Sequence, residues 1–389
     1  MFFIDLTTTS HTRARTGIQR VARSLAAALR ARACAVCFDP WQKSWRPLAP
    51  WEEKNLAAAA AGSRRGAHWP WPARLRGVLR RGIARGKAPL ARADALIVPE
   101  VFSAATAAAQ PALFARVDGP RVALFHDAIA LRLPELTPAQ TVARFPAYLQ
   151  ELSAFDGVAA ISEDSRQSLL DYWRWLGLSA PPPVAALPLG LDPPDPSALS
   201  PAAAAVQPPV VLCLGSIEGR KNHLALLEAC ERLWSRGLRF DLRLIGLARP
   251  QTAQAALDKI TALQRAGRPL RYDGPVDDAT AAAAYRDCTF TVYPSLMEGF
   301  GLPVLESLAH GKPCICSARG ALGEAARGGG CVALDPVDAD ALAAALSDLL
   351  QNPARRSALA TEARARTFKS WEDYAADLTV WMRTLPRRA

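Results

Sequence analysis

The sequence predicts an α/β protein of two domains, each with a parallel sheet of the dinucleotide-binding type. Three observations predict this class. The chain has 389 residues, more than one ordinary α/β domain contains. Half of the residues are hydrophobic, which is enough for two cores. Short apolar runs are followed by polar loops and helical patterns in both halves of the chain, as in a parallel sheet with crossover helices.

The first domain is predicted to span residues 1–195. It begins with a strand at 2–6, a polar loop, and a helix that starts at Gly17 and runs to about residue 32. This order is Rossmann-like, although no G-x-G-x-x-G motif is present. Gly17 allows close approach of a ligand to the backbone, or else only begins the helix. Further strands are predicted at 95–99, 122–125 and 157–161.

A histidine and an aspartate follow the strand at 122–125. Functional groups of such sheets collect at the carboxyl ends of the strands, where His126 and Asp127 fall. The alternative is a histidine that only caps the end of a strand. Ser162, after the next strand, is predicted to cap a helix and to be structural.

The second domain is predicted to span 206–368, after a linker rich in Pro, Ala and Ser at 192–209. Its first strand, 210–215, leads to Arg220 and Lys221 at the start of a helix. The helix dipole disfavours cations there, whereas a diphosphate requires them. The planar guanidinium of arginine offers several N–H donors side by side, and the ammonium of lysine offers one compact positive charge. The pair therefore predicts a phosphate site.

The segment 289–317 has the pattern of a strand, a glycine loop, a short helix and a second strand. Gly299 and Gly301 are both free to take positive φ, and the helix that follows exposes N–H groups at its positive end. The carboxylates of Glu298 and Glu306 frame this anion site and are suited to vicinal hydroxyls. The alternative is a helix start that merely carries acidic residues.

The segment 298–306 resembles the E-x7-E signature of the family-four retaining glycosyltransferases, which have the GT-B fold. The resemblance covers about residues 17–374. It implies an α/β architecture of two Rossmann-like domains that face each other across a cleft. The first domain would bind the acceptor and the second the nucleotide-sugar donor. The final helix, within 369–389, would return to the first domain.

The resemblance also implies roles for individual residues. Glu298 would face the donor sugar, Glu306 would hold the ribose, and Arg220 and Lys221 would stabilise the departing nucleoside diphosphate. His126 would contact the donor sugar. The remaining implied site residues are the loop positions Gly299, Phe300, Gly301 and Leu302 at the diphosphate, Gly17, Gly215 and Val276 elsewhere at the donor, and Asp127 at the sugar or acceptor.

The eight cysteines predict neither disulfides nor a metal centre. Cys34 and Cys37 form a C-x-x-C, but they lie in a β-like run, and no second pair stands at zinc spacing. Cys213, Cys314 and Cys316 are expected to be buried thiols. No Asp-x-Asp with the surroundings of a metal site occurs. We therefore expect no cofactor and no essential metal, with the two cations in its place.

The net charge of +11 is concentrated in one segment. Nine basic residues and no acidic residue lie between Arg64 and Arg92. Within it, 73–87 has apolar residues at helical spacing, and Trp69 and Trp71 precede it. This pattern favours a membrane-surface helix, with a helix packed on its own domain as the alternative. No nucleic-acid motif is present.

The activity expected is metal-independent, retaining hexosyl transfer during assembly of a bacterial surface polysaccharide such as O-antigen or capsule. GDP-mannose is the first donor expectation and a UDP-sugar the second. The acceptor is expected to be a glycan or a polyprenyl-linked oligosaccharide. No signal peptide and no run of 18 apolar residues is present, so a cytoplasmic protein at the inner membrane face is expected. Alternatives are an inactive scaffold, or a phosphorylase or epimerase of the same fold.

Overall fold

The computed structural model describes residues 1–14, 17–58, 67–83, 90–192, 194 and 208–386. The chain forms two compact units. Unit 1 consists of Met1–Asp127, Arg144–Gly190 and Trp371–Ala389, and unit 2 consists of Ala128–Ala143 and Leu191–Ser370. Most of the predicted linker at 192–209 lies outside the described residues.

The sheet of unit 1 is mainly parallel. Its strands are β1 (Phe2–Asp5), β2 (Ala33–Asp39), β3 (Ser44–Pro47), β4 (Ala95–Val98), β5 (Arg121–Phe125), β6 (Gly157–Ala160) and β7 (Val184–Ala186). They lie in the order β3-β2-β1-β4-β5-β6-β7. Only β3 is antiparallel to its neighbour, β2. This edge strand was not predicted, because its four residues end in a proline and show no apolar alternation.

The sheet of unit 2 is fully parallel. Its strands are β8 (Val210–Leu214), β9 (Asp241–Ile245), β10 (Leu270–Tyr272), β11 (Phe290–Tyr293), β12 (Cys314–Ser317) and β13 (Cys331–Leu334). The order β10-β9-β8-β11-β12-β13 is that of a Rossmann sheet. The chain order reverses between β8 and β11, so the loops that follow these two strands diverge and leave a crevice at their carboxyl ends.

Helices connect the strands in both units. They are α1 (Gly17–Ala28), α2 (Pro50–Ala57), α3 (Trp71–Ile83), α4 (Ala104–Phe114), α5 (Ile129–Arg132), α6 (Ala139–Glu151), α7 (Glu163–Trp175), α8 (His223–Ser235), α9 (Pro250–Arg265), α10 (Asp278–Asp287), α11 (Leu302–Ala309), α12 (Gly320–Ala326), α13 (Ala339–Gln351), α14 (Pro353–Ala365) and α15 (Trp371–Arg383). The α/β class with two Rossmann-like sheets is therefore confirmed.

Helix α15 packs against α1 within unit 1. Its inward positions Trp371, Tyr374 and Leu378 are buried. Gly157 makes room for it, because a Cβ there would lie 2.9 Å from the ring of Trp381. The C-terminal end of the chain is thus part of the first compact unit.

Helix α3 corresponds to the helix predicted at 73–87, of which residues 84–87 lie outside the described part. Trp69, which was expected to suit a membrane interface, is 8% exposed. Its ring stacks on His11 with centroids 3.8 Å apart. That expectation is wrong for Trp69, because the loop before α3 packs its indole into the domain. Trp71 is 73% exposed.

The prediction of buried thiols is confirmed for the three cysteines named. Cys213, Cys314 and Cys316 are buried, and all eight cysteines are free thiols. Burial raises the pKa of Cys213 to about 12, even though the Lys221 charge opposes that shift. These side chains are small apolar residues of the sheet core.

The first testable prediction concerns the turn after β9. Gly246 has φ of 150°, and a Cβ there would lie 1.9 Å from the carbonyl oxygen of Gly215. We expect Gly246→Ala to lower the free energy of unfolding by about 2–4 kcal/mol, because backbone strain and overlap both oppose it. Gly237→Ala is the control: φ is 87° but nothing lies within 4 Å of its Cβ position. It should lose only about 1 kcal/mol in urea unfolding.

Candidate active site

The loops after β8 and β11 meet at the reversal point of the second sheet. The loop after β8 ends in a 3-10 turn, Gly219–Lys221, and the loop after β11 leads to α11. The backbone N–H of Leu296 donates to the carbonyl oxygen of Arg220 over 2.9 Å. This hydrogen bond joins the two loops directly, so side chains far apart in sequence come together here.

Arg220, Lys221 and Glu298 form one charged cluster at this point. The guanidinium of Arg220 donates to Glu298 Oε1 over 2.8 Å and to the Met297 carbonyl over 3.1 Å. Lys221 Nζ donates to the same carboxylate oxygen and to the phenol oxygen of Tyr293. The structure thus brings Glu298 together with both predicted cations.

Charge controls the ionisation of this cluster. Burial would raise the pKa of Glu298, but the charges of Arg220 and Lys221 outweigh burial and lower that pKa to about 2. Burial lowers the pKa of Lys221, and the carboxylate of Glu298 opposes that shift. Glu298 is therefore ionised at neutral pH, and it compensates two neighbouring cations that would otherwise repel each other.

The backbone of the 3-10 turn directs Lys221 inward. Asn222, the residue after the turn, has the left-handed φ of 56°, which asparagine tolerates better than most residues. Its side-chain amide donates to the Val337 carbonyl over 2.8 Å. Gly219 begins the turn against Thr252, whose carbonyl oxygen would lie 2.7 Å from a Cβ. The turn therefore requires both a glycine and a left-handed residue.

The glycine loop before α11 is only partly as predicted. Gly301 caps the helix with φ of 94°, where any Cβ would touch Leu322. Gly299 does not have a positive φ, so that prediction is wrong for the first glycine. Phe300 is half-buried and Leu302 is the first residue of α11. The backbone amides of Gly301 and Leu302, at the start of α11, follow Glu298 by three and four residues in the chain.

Glu306 is one turn inside α11 and is 8% exposed. The phenol of Tyr285 donates to Glu306 Oε2 over 3.0 Å. The ring of His310 stacks on Tyr285 with centroids 4.8 Å apart. Tyr285 was not predicted as a site residue, because nothing in the pattern of α10 distinguishes an aromatic core position from one that orients a carboxylate.

Two predicted donor positions lie on neighbouring loops of unit 2. Gly215 extends the β8 ladder through its N–H, which donates to the Ile245 carbonyl over 2.8 Å. Val276 is half-buried and packs beside β8. Arg249, which was not predicted, lies 3.4 Å from Glu218 after β9. Glu218 also pairs with Arg220 over 2.8 Å. The loop after β9 thus adds a third cation to the neighbourhood.

The other predicted site residues lie in unit 1. Gly17 begins α1. No protein atom lies within 4 Å of the position that a Cβ would take, so packing within the protein does not require a glycine here. His126 Nε2 donates to the Pro99 carbonyl over 2.7 Å, and burial lowers the pKa of His126. The neutral ring then keeps Nδ1 as an acceptor. Asp127 follows it and is half-buried. Ser162 caps α7 as predicted, accepting from Ser165 N.

Two buried carboxyl groups in unit 1 were not predicted. Glu100, after β4, accepts hydrogen bonds from the amides of Thr8 and Thr9 over 2.7 and 2.6 Å. Asp5, at the end of β1, accepts from the amide of Thr7 over 2.9 Å. Burial raises the pKa of Asp5 to about 6 and that of Glu100 to about 7. These carboxyl groups hold the backbone of Thr7, Thr8 and Thr9 at the start of the loop after β1.

One group of possible metal ligands lies behind this loop. His11, Cys37 and Glu52 place ligand atoms within 4.8 Å of one another. Both oxygens of Glu52 already accept from the guanidinium of Arg46, each over 2.7 Å. Burial also raises the pKa of Cys37, which keeps it a thiol. A buried guanidinium and a protonated thiol fit an internal ion pair better than a cation site.

Comparison with known proteins places these features in context. Residues 200–366 match the family described as glycosyl transferases group 1. The O-antigen chain mannosyltransferase B of Escherichia coli is 30% identical over 259 residues, which are 65% of this chain and 67% of that protein. The serotype-specific mannosyltransferase WbdA of E. coli is 24% identical over 335 residues, or 80% of this chain but 38% of that protein.

Solved structures share the fold at low identity. Anabaena HepE, solved with UDP and glucose, superposes with a TM-score of 0.70 at 15% identity and 99% coverage of both chains. Sucrose-phosphate synthase from Thermosynechococcus elongatus gives a TM-score of 0.64 at 18% identity and 98% coverage of both chains. These are GT-B proteins, and the likeness establishes the fold class for this chain.

The second prediction concerns the charge of Glu298. We expect Glu298→Gln to lower the free energy of unfolding by roughly 3 kcal/mol at neutral pH, since the buried Lys221 and the half-buried Arg220 lose their counter-charge. The carboxylate has a folded pKa of about 2 against an ordinary value of 4.5. Its contribution is therefore complete above that ordinary value and is lost as the pH falls toward 2. Denaturant titrations at several pH values should show the two proteins converging below pH 4.5. A pH-independent difference would contradict this account.

Proposed function

Because this chain belongs to the group 1 glycosyl transferases, we propose that it moves a hexose from a nucleoside diphosphate to a carbohydrate acceptor with retention of anomeric configuration. The chain is a glycosyltransferase. The observation that carries the finer proposal is the charged cluster of Arg220, Lys221 and Glu298, beside the start of α11. Breaking the anomeric C–O bond places negative charge on the diphosphate, and cations fixed in advance stabilise that charge.

Arg220 and Lys221 are the groups that meet the leaving diphosphate. Both lie at the carboxyl end of β8, and Arg220 is 21% exposed at its side chain, so a ligand can reach it. The amides of Gly301 and Leu302 add hydrogen-bond donors on the other side of the crevice. In this proposal the two cations supply the positive charge that a metal ion supplies in other phosphoryl sites, so no metal is required.

Glu298 orients the sugar in this mechanism and does not attack it. A carboxylate with a pKa near 2, held by two cations, is a weak base and a weak nucleophile. A leaving phosphate oxygen lies on the face of the sugar from which it departs. It can accept the proton of the acceptor hydroxyl as that hydroxyl attacks the same face, and retention follows.

Glu306 is the proposed ribose ligand. A buried carboxylate costs free energy unless hydrogen bonds compensate it, and Tyr285 supplies one to Oε2. Vicinal hydroxyls of a ribose would supply two more. The bond from Tyr285 orients the carboxylate before the nucleotide arrives, which reduces the ordering needed on binding.

The relatives favour a mannosyl donor. Both E. coli relatives named above are mannosyltransferases, and the first is described as acting on the O-antigen chain. We therefore propose GDP-mannose as donor and a glycan or polyprenyl-linked oligosaccharide as acceptor, in surface polysaccharide assembly at the cytoplasmic side of the membrane. A UDP-sugar is the second candidate, since HepE was solved with UDP.

A scaffold without activity is the alternative from another functional class. Such a protein would be free to lose charged members of the set Arg220, Lys221, Glu298 and Glu306, yet all four are present. The first three are also held in contact. For a phosphorylase of the pyridoxal phosphate type, we find no cofactor lysine motif.

The third prediction identifies the donor nucleotide. We expect GDP, among GDP, UDP, ADP and dTDP, to raise the melting temperature, by about 2.7 kcal/mol of stabilisation at 100 times its Kd. EDTA should leave the shift unchanged. Glu306→Ala and the more conservative Glu306→Gln should reduce it strongly. Glu231→Ala is the matched control, because that glutamate is partly exposed on α8 and pairs with Lys259.

The possible results of that experiment are distinct. A shift with UDP alone would retain the transferase and replace the donor. A shift abolished by EDTA would contradict the metal-independent proposal. If no nucleotide stabilises the wild type, the donor site as assigned is wrong and the scaffold alternative stands.

The fourth prediction concerns the leaving group. We expect Arg220→Ala to lower kcat about 10²–10³-fold, with a smaller effect on the KM for the donor, because its charge acts mainly on the transition state. Arg232→Ala is the control, since Arg232 also pairs with a carboxylate, Asp340, on the surface of unit 2. Steady-state rates with the identified donor measure both. An equal loss in the control, or a change confined to KM, would remove Arg220 from the chemical step.

A further inference from the structure

Helix α3 has its small residues inside and its large apolar residues outside. Ala73 is 9% exposed, and Gly77 is so close to Trp41 that a Cβ would lie 2.6 Å from the Trp41 Cβ. The Arg74 guanidinium lies 5.3 Å from the Trp41 ring centre, and its Nε donates to the Trp69 carbonyl over 2.8 Å. These contacts fix the face of the helix that touches the domain.

The opposite face carries an apolar stripe that the described residues leave at least half exposed. Trp71, Leu75, Val78 and Leu79 stand at positions i, i+4, i+7 and i+8, which share one side of a helix. Their exposed fractions are 73, 50, 55 and 57%. The alternative from the sequence, in which Leu75, Val78, Leu79 and Ile83 pack on their own domain, is wrong for the first three. The side chain of Ile83 lies outside the described part of the structure. Water is a poor environment for such a stripe.

Arginines border the stripe. Arg76 and Arg81 are exposed, one on each side of it, and Arg80 is exposed farther round the same helix. The surrounding segment, Arg64 to Arg92, has nine basic residues and no acidic one. An apolar stripe with a cationic border is complementary to the surface of a bilayer that contains anionic lipid. The apolar side chains insert at the boundary between headgroups and acyl chains, and the arginines pair with anionic headgroups.

We propose that α3 docks unit 1 on an anionic membrane surface, with Leu75, Val78 and Leu79 inserted at the headgroup boundary. The helix lies in the plane of the interface and does not cross the bilayer. In the described part of the chain, every helix is too short or too polar to span one. Anchoring through the exposed stripe leaves the contacts of Ala73, Arg74 and Gly77 with the domain in place, because these residues lie on the other side of the helix.

The inference is independent of the chemistry assigned to unit 2. It adds the membrane surface itself as a partner, and it would hold for a scaffold as well as for a transferase. A failure of the nucleotide experiments would therefore leave it intact, and its own failure would leave the transferase intact.

Vesicle co-sedimentation tests the proposal with the full chain. We expect wild type to bind vesicles with about one third phosphatidylglycerol and to leave them at about 0.5 M NaCl. Binding to pure phosphatidylcholine vesicles should be at least about tenfold weaker, because each basic residue near an anionic surface contributes about fivefold. The triple variant Leu75→Gln, Val78→Gln and Leu79→Gln should bind the anionic vesicles about tenfold or more weakly.

A matched control comes from exposed apolar residues elsewhere in unit 1. Trp175, Leu176 and Val380 are 78, 40 and 61% exposed. Their triple glutamine variant should bind vesicles like wild type. A second variant, with Arg76, Arg80 and Arg81 changed to Gln, should lose only the part of the binding that depends on anionic lipid. Circular dichroism melting checks that each variant is folded.

Three results would overturn the proposal. The first is equal vesicle binding by wild type and the α3 triple variant. The second is a wild-type dimer in light scattering that the α3 triple variant abolishes, because the stripe would then cover a second copy of the chain. The third is binding to a DNA duplex that is tighter than binding to anionic vesicles, which would assign the basic border to nucleic acid.

Discussion

The ion cluster of Glu298 with Arg220 and Lys221 is the interaction on which the site depends. Two adjacent cations at one turn repel each other, and burial lowers the pKa of the lysine further. A single carboxylate oxygen shared by both compensates this arrangement. Because the carboxylate comes from the loop after β11 and the cations from the loop after β8, the ion pairs also close the crevice loops on each other. Charge and loop geometry are therefore one constraint.

In unit 1, too, a carboxyl group joins the two loops at the place where the strand order of the sheet reverses. Its sheet order reverses between β1 and β4, and Glu100, after β4, accepts the amides of Thr8 and Thr9 after β1. Here the carboxyl group binds backbone N–H groups and not cations, so burial dominates and its pKa rises to about 7. Glu100 and Glu298 thus occupy equivalent positions in the two sheets but have very different pKa values, because only Glu298 has cations beside it.

Helix α3 shows how packing can reverse the usual meaning of an amphipathic pattern. Apolar residues at helical spacing generally face the core, because burial of apolar area is favourable. In α3 the domain is reached through Ala73 and Gly77, which allow the helix to approach Trp41 closely. Once that small face is used, the large apolar residues remain at least half exposed among the described residues. The resulting surface combines apolar area with positive charge.

Much of the architecture and the core of the site were determined by the sequence alone, because local spacing carries them. Alternating strands and helices indicated the two sheets, and Arg220, Lys221, Glu298 and Glu306 were recognisable from their places at strand ends and within E-x7-E. Edge strand β3 and the conformation of Gly299 were not, since short segments carry little local signal. Only the tertiary structure decided which partners meet: Glu298 with Arg220, 78 residues away, Tyr285 with Glu306, and Trp41 beneath α3. Periodicity shows which residues share a face, but contacts from distant parts of the chain decide which face is covered.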